Sequence, residues 1–196
     1  MNAPERQVSG SAAMPDVQAI RAAARRHIEE GAVTEYYGAD RAAVIKLLNE
    51  ALATEIVCTL RYRHNYFVAR GLKAKVAAAE FLEHANAELA HADSIAERIV
   101  QLGGEPDLNP ETLTSRSHAE YRIGRTLSEM IRENLIAERI AIESYRQIAR
   151  YVGEDDPTTR RLMESILEVE EEHADDLADL LVDCAGASAA GDGCAA

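Results

Sequence analysis

The pattern Glu-x-x-His-Ala-Asp occurs twice in this chain, at Glu88 to Asp93 and at Glu170 to Asp175, 82 residues apart (170 − 88). With 23 Glu and 6 His among 196 residues, composition alone supplies about 0.7 Glu-x-x-His pairs (23 × 6 / 196), so the pairs by themselves carry little. The repeat extends upstream, however. Glu55 lies 33 residues before Glu88, Glu138 lies 32 before Glu170, and each is followed seven residues later by a tyrosine, Tyr62 and Tyr145. Any fold for this chain must set two copies of one unit, Glu-x6-Tyr followed by Glu-x-x-His-Ala-Asp, in equivalent surroundings.

The stretches that carry these units read as long helices. From Asp40, a good N-cap, the chain runs to Gly71 without an internal proline, with Val44, Leu47, Leu48, Leu52, Ile56, Leu60 and Phe67 at helical spacing. A second helix fits Lys73 to Leu102, ended by Gly103 and Gly104. A third fits Thr126 to Tyr151, ended by Gly153, and a fourth starts on Asp156 and Pro157 and continues to about Asp183. Short joins force the first and second, and the third and fourth, to be antiparallel neighbours. Some twenty residues after Gly103 are long enough to cross the length of a bundle, with a short helix near Ser115 to Tyr121. The sequence therefore predicts an all-α protein: an antiparallel four-helix bundle over 40–183 with a long crossover between helices two and three. Residues 1–39 form an N-terminal extension with a helix over Pro15 to Glu30, and 184–196 a flexible Gly/Ala tail.

Composition narrows the function. Acidic residues outnumber basic ones by 34 to 21, a net charge of −13, which disfavours nucleic acid and anionic lipid and favours cations. No run of 18 apolar residues and no apolar signal-peptide core occurs. The 3 cysteines, Cys58, Cys184 and Cys194, have no paired spacing and indicate neither a disulfide framework nor a zinc knuckle. A soluble protein of the reducing cytoplasm, without a membrane partner, is expected.

Helical geometry turns the repeat into a site. Residues three apart sit about 60° around a helix and one turn along it, so the Glu and His of each pair reach one point. Two such pairs plus Glu55 and Glu138 bring four carboxylates and two imidazoles together, the donor set of di-iron or di-manganese carboxylate bundles. Four buried carboxylates without cations would cost more than the net stability of a small bundle, and the absence of thiolates argues against structural zinc.

The segment from Leu48 to Leu181 resembles the ferritin-like superfamily, in particular a bacterioferritin-related or Dps-like ferritin subunit. The match is carried by "LNEALATEIVCTLRYRHNYFVAR", "EFLEHANAELAHADSIAERIVQLGGEPDL", "LIAERIAIESY" and "ILEVEEEHADDLADLL". The resemblance implies that Glu55, Glu88, His91, Glu138, Glu170 and His173 are ferroxidase ligands for two iron ions per subunit, with Glu88 and Glu170 bridging. It also implies that Tyr62 is the family's tyrosine near the site. Fe(II) would be oxidised by O2 or hydrogen peroxide and the ferric product stored inside a hollow homo-oligomeric shell. Haem-binding bacterioferritins place Met directly after the first of these Glu-x-x-His glutamates; Leu89 stands there, so no haem is expected. The lack of a fifth helix favours 12 subunits over 24, although the Dps iron site lies between subunits and all six ligands here lie in one chain. A di-manganese catalase or peroxidase-type bundle uses nearly the same donors, and a DNA-protecting shell of the Dps kind is opposed by the charge.

Other residues have blander expectations. Asp93 and Asp175 follow their histidines by two positions, off the ligand face, and are expected in solvent or at caps. Tyr145 is expected in the core and Cys58 as a small buried thiol; Glu80, Glu83 and His84 could line an iron entry route but are expected at the surface.

Overall fold

The computed structural model describes residues 16–71 and 74–189, and all regular structure among them is helical. Two units separate at Tyr36/Tyr37. In the first, helix α1 covers Val17–Ala23, capped by Asp16, whose carboxylate accepts from the Gln18 amide; a 3₁₀ turn follows at Ile28–Glu30. The single helix expected from Pro15 to Glu30 is thus broken. His27 adopts φ 50°, the Arg25 guanidinium takes the Arg21 carbonyl at 2.5 Å, and Arg26 pairs with Glu35. Arginines that bond the last carbonyls and a distant carboxylate cap the helix rather than extend it.

The second unit carries helices α2 (Arg41–Val68), α3 (Ala74–Gln101), α4 (Leu113–Arg116), α5 (Leu127–Val152) and α6 (Pro157–Ala189). It is the expected antiparallel four-helix bundle with a long crossover between its second and third long helices. The starts follow from local chemistry: Asp40 accepts from the Ala43 amide, Thr126 from the Glu129 amide, and Asp156 from both the amide and the hydroxyl of Thr159. Glu129 returns a bond to the Arg125 amide. Gly153 has φ 51° where α5 turns into α6, and at Gly124 a Cβ would stand 2.3 Å from the Met130 amide nitrogen, so only glycine fits. The last helix runs past Asp183 to Ala189, because its alanines and serine extend a helix cheaply and Gly186 alone costs only about 1 kcal/mol. The rest of the expected tail, with Cys194, lies outside the described residues.

Helices α2 and α3 form one hairpin and α5 and α6 the other; they meet through α2 against α5 and α3 against α6. At 28 residues, α2 spans about 42 Å. The crossover lies along α2 and is tied to it by polar bonds. Arg116 donates to the Asn49 and Asp107 carbonyls, the Asp107 amide to Asn49 Oδ1, the His118 amide to Thr54 Oγ1, and Arg61 to the Glu120 carbonyl. These ties leave α4 shorter and earlier than expected, since Ser117 is already extended (ψ 137°) to bring the His118 amide onto α2. Covered on one side by the bundle and on the other by the crossover, α2 buries polar residues such as Arg61 and Asn65 as well as its apolar stripe. Leu60 and Phe67, which share the apolar helical spacing of α2, are exposed (51% and 62%). Interior alanines, among them Ala51, Ala85, Ala92, Ala137 and Ala141, leave room at mid-bundle for side chains longer than leucine. No helix among the described residues is long and apolar enough to cross a membrane.

Candidate metal centre

All six candidate ligands meet at mid-bundle, each helix of the bundle giving what its repeat prescribes. Glu55 comes from α2, Glu88 and His91 from α3, Glu138 from α5, and Glu170 and His173 from α6. The four glutamates are at most 1% exposed. Donor atoms of Glu55, Glu88, His91 and Glu170 lie within 4.8 Å of one another, and so do those of Glu88, Glu138, Glu170 and His173. Two overlapping nests therefore share Glu88 and Glu170.

The sharing is visible atom by atom. His91 Nδ1 stands 3.8 Å from Glu88 Oε2 and 3.1 Å from Glu170 Oε1, while His173 Nδ1 stands 3.6 Å from Glu88 Oε1 and 3.6 Å from Glu170 Oε2. Each of the two central carboxylates thus turns one oxygen to each imidazole, the geometry of a bridge. Glu55 and Glu138 take the outer positions, and each is held from the opposite hairpin. Tyr145 of α5 donates its hydroxyl to Glu55 Oε1, and Tyr62 of α2 donates to Glu138 Oε1. Tyr145, expected as mere core, is therefore the pseudo-symmetric mate of Tyr62. The Glu-x6-Tyr spacing in both halves was the signal for it.

Seven atoms that point into this cage have no hydrogen bond: Glu55 Oε2, Glu88 Oε1, His91 Nδ1, Glu138 Oε2, both oxygens of Glu170 and His173 Nδ1. Buried polar atoms are nearly always satisfied, so so many orphans in one place require a partner of opposite charge. The donor set, carboxylate and imidazole without thiolate, fits a pair of first-row divalent cations. Without them, protons supply the compensation. Burial, and then the charges of Glu88 and Glu170, push the carboxyls of Glu55 and Glu138 well up. Burial opposes ionisation of Glu88 too, but Glu55, His173 and His91 outweigh it and hold its carboxyl below the usual range. Burial likewise opposes the imidazolium at His91, where Glu170, Glu55 and Glu88 prevail and raise it to about 12; at His173, Glu170 and Glu88 raise it to about 9.

Around the cage, Cys58 is buried and its thiol is pushed well up by burial despite Arg61; its sulfur joins neither nest. Arg61 is itself buried and donates from Nε to Asn134 Oδ1 at 2.8 Å, a cross-hairpin tie that no spacing rule reveals. Asp93 and Asp175 are exposed, as expected, whereas His84 is only 2% exposed rather than at the surface. A helical-wheel reading puts His84 one turn before Glu88, on the inner face; that was the overlooked signal.

The fold has known relatives. A family model described as a ferritin-like domain matches residues 45–187. The bacterioferritin of Desulfovibrio desulfuricans is 31% identical over 134 residues, 68% of this chain and 71% of that one. Among solved structures, a dodecameric thioferritin, the bacterioferritin-related protein of Bacteroides fragilis, is 34% identical with a TM-score of 0.74, over 78% of this chain and 92% of that one. The bacterioferritin of Rhodobacter capsulatus, solved with a metal-free dinuclear site and haem iron, is 29% identical with a TM-score of 0.63, over 72% and 84%.

Proposed function

The chain belongs to the ferritin-like family, and on that premise we propose that it oxidises Fe(II) at an intrasubunit dinuclear centre and stores the ferric product in a homo-oligomeric shell. The observation that carries this reading is the set of seven buried atoms without a hydrogen bond, from six residues of one chain, with Glu88 and Glu170 each facing both imidazoles. Glu55, Glu88, His91 and Glu170 would hold one iron, and Glu88, Glu138, Glu170 and His173 the other. Two Fe(II) supply one electron each, which is the requirement for reducing O2 to hydrogen peroxide, or hydrogen peroxide to water, in a two-electron step.

The chain's own contribution is positional and electrostatic. Glu88 and Glu170, each facing both imidazoles, would be shared by the two cations. Tyr62 and Tyr145 lock the outer carboxylates, leaving one oxygen of each aimed inward, and the low exposure of all four glutamates keeps bulk water from competing for the donors. Protons held on His91, His173, Glu55 and Glu138 would be released on cation binding. Leu89, where haem-binding relatives carry Met, offers no ligand atom, so the purified protein is expected to show no Soret band.

Shell formation is supported by the dodecameric relative and by large apolar side chains left exposed on one subunit, among them Leu60, Phe67 and Leu89. A 12-subunit shell has a native mass of about 257 kDa (12 chains of 21.4 kDa). The net charge of −13 gives such a shell no attraction for DNA. Anaerobic Fe(II) titration is expected to saturate a tight phase at two per chain, and admission of O2 or peroxide to yield Fe(III), with Glu170→Gln slowing the fast phase by about a hundredfold or more. Two Mn per chain with rapid O2 release from peroxide would instead make it a catalase.

A further inference from the structure

Beside the dinuclear centre lies a second cluster that the six ligands do not include: Glu80 and His84 of α3 and Asp176 of α6, whose donor atoms lie within 4.8 Å of one another. We propose that these three side chains form a separate mononuclear divalent-cation site that passes Fe(II) from solvent to the dinuclear centre. The site stands on its own geometry; only the direction of transfer rests on the ferroxidase reading.

His84 carries the argument. Its ring is 2% exposed, and its Nδ1 lies 3.3 Å from the Tyr62 hydroxyl. That hydroxyl has one proton, and it is committed to Glu138. Toward His84 the Tyr62 oxygen acts as acceptor, so Nδ1 bears the hydrogen and Nε2 is left with a bare lone pair. Nε2 faces Asp176 Oδ2 at 3.7 Å and Glu80 Oε2 at 3.9 Å, separations too long for hydrogen bonds. A lone pair and two carboxylates converging at those distances repel one another, yet they match three ligands about 2.1 Å from one ion. Burial and then Asp176 raise the Glu80 carboxyl, the mark of crowded negative charge.

Placement gives the cluster its role. Exposure of the side chains falls from 58% at Asp176 to 33% at Glu80 and 2% at His84, a graded descent from solvent. At its inner end the His84 ring stacks on His173 with centroids 3.9 Å apart, and His84, Glu138 and His173 also offer donor atoms to a common point. One imidazole layer therefore separates the two sites. The internal repeat shows that this is an addition and not a by-product of the bundle. Shifting by the repeat offset of 82 residues puts Leu162, Ile166 and Ser94 at the equivalent positions, none of them a competent ligand set, so only one of the two pseudo-equivalent flanks is equipped.

Zn(II) tests the site because it takes the same donors and is not oxidised. Crystals of the full chain equilibrated with Zn(II) are expected to show, in anomalous difference maps, the two dinuclear peaks and a third bonded to His84 Nε2. In Asp176→Asn, a change at an exposed position, the third peak should fade, with about tenfold weaker affinity, while the other two persist. Two filled dinuclear positions with nothing at His84 would overturn the proposal. For the transfer, Asp176→Asn should lower the Fe(II) oxidation rate severalfold at limiting Fe(II) and leave the saturated rate unchanged; superimposable curves would refute it. A peak at His84 with an empty dinuclear centre would uphold this site and sink the ferroxidase reading instead.

Discussion

At the scale of single residues, the six cage side chains are placed for binding cations and against stability. Glu138→Gln removes one of four crowded carboxylates and keeps the side chain's shape, so the metal-free protein should be equally stable or gain about 1 kcal/mol while rapid Fe(II) oxidation is lost. Chemical denaturation of the chelated variant beside stopped-flow oxidation tests both halves; a large loss of stability would mean that Glu138 is structural. The two tyrosines make a paired prediction. Because Tyr62 and Tyr145 hold Glu138 and Glu55 in the same manner, Tyr62→Phe and Tyr145→Phe should each cost about 1 kcal/mol and each weaken metal binding at its own half. An effect confined to Tyr62→Phe would show that the pseudo-symmetry is only geometric.

Among the elements, α6 is anchored by a buried network at its first turn. Arg98 of α3 donates to both oxygens of Asp156 at 2.8 and 3.0 Å and to Thr159 Oγ1, and the Tyr37 hydroxyl donates to the same carboxylate at 2.8 Å. Burial works against the Asp156 charge, but Thr159, Tyr37 and Arg98 outweigh it and hold the carboxyl below its ordinary value. Asp156→Ala deletes the cap and leaves Arg98 buried without its carboxylate, which should cost about 3 kcal/mol. By contrast Thr126→Ala, the loss of an exposed cap on α5, should cost about 1 kcal/mol. Denaturant midpoints of the two variants decide between them, and equal losses would show that the Arg98 network adds nothing beyond capping.

For the whole molecule, the stability of metal-free protein should depend on pH with a definite sign. His173 is held at about 9 and His91 at about 12, against an ordinary value near 6.5, so the folded metal-free chain retains protons that the unfolded chain releases. That stabilisation is complete below pH 6.5 and is lost as pH rises, by about 9 for His173 and by about 12 for His91. The raised carboxyls of Glu55 and Glu138 act in the same sense, and His84, held near 4, opposes them only on the acid side of 6.5. The melting temperature of chelated protein should therefore fall between pH 6.5 and 9, and loading with divalent metal should flatten the profile and release protons. Calorimetric titration in two buffers of different ionisation enthalpy measures that release; a melting temperature rising over this range would show that protons do not compensate the cage.

How much of this was written in the chain follows from what each feature depends on. Helix positions, the caps at Asp40, Thr126 and Asp156, and the convergence of Glu55, Glu88, His91, Glu138, Glu170 and His173 follow from spacing, since a helix fixes where residues three and seven apart point. Local pattern cannot show what the crossover covers, and so it does not reveal that Leu60 and Phe67 are exposed while Arg61 is buried. Nor does it show which tyrosine meets which glutamate, because Tyr62–Glu138 and Tyr145–Glu55 join residues 76 and 90 positions apart. The sequence by itself determined two identical half-sites. Their assembly into one cage and the burial of His84 were decided by how the hairpins dock, because only docking removes water from carboxylates and leaves their charges to be met by a cation.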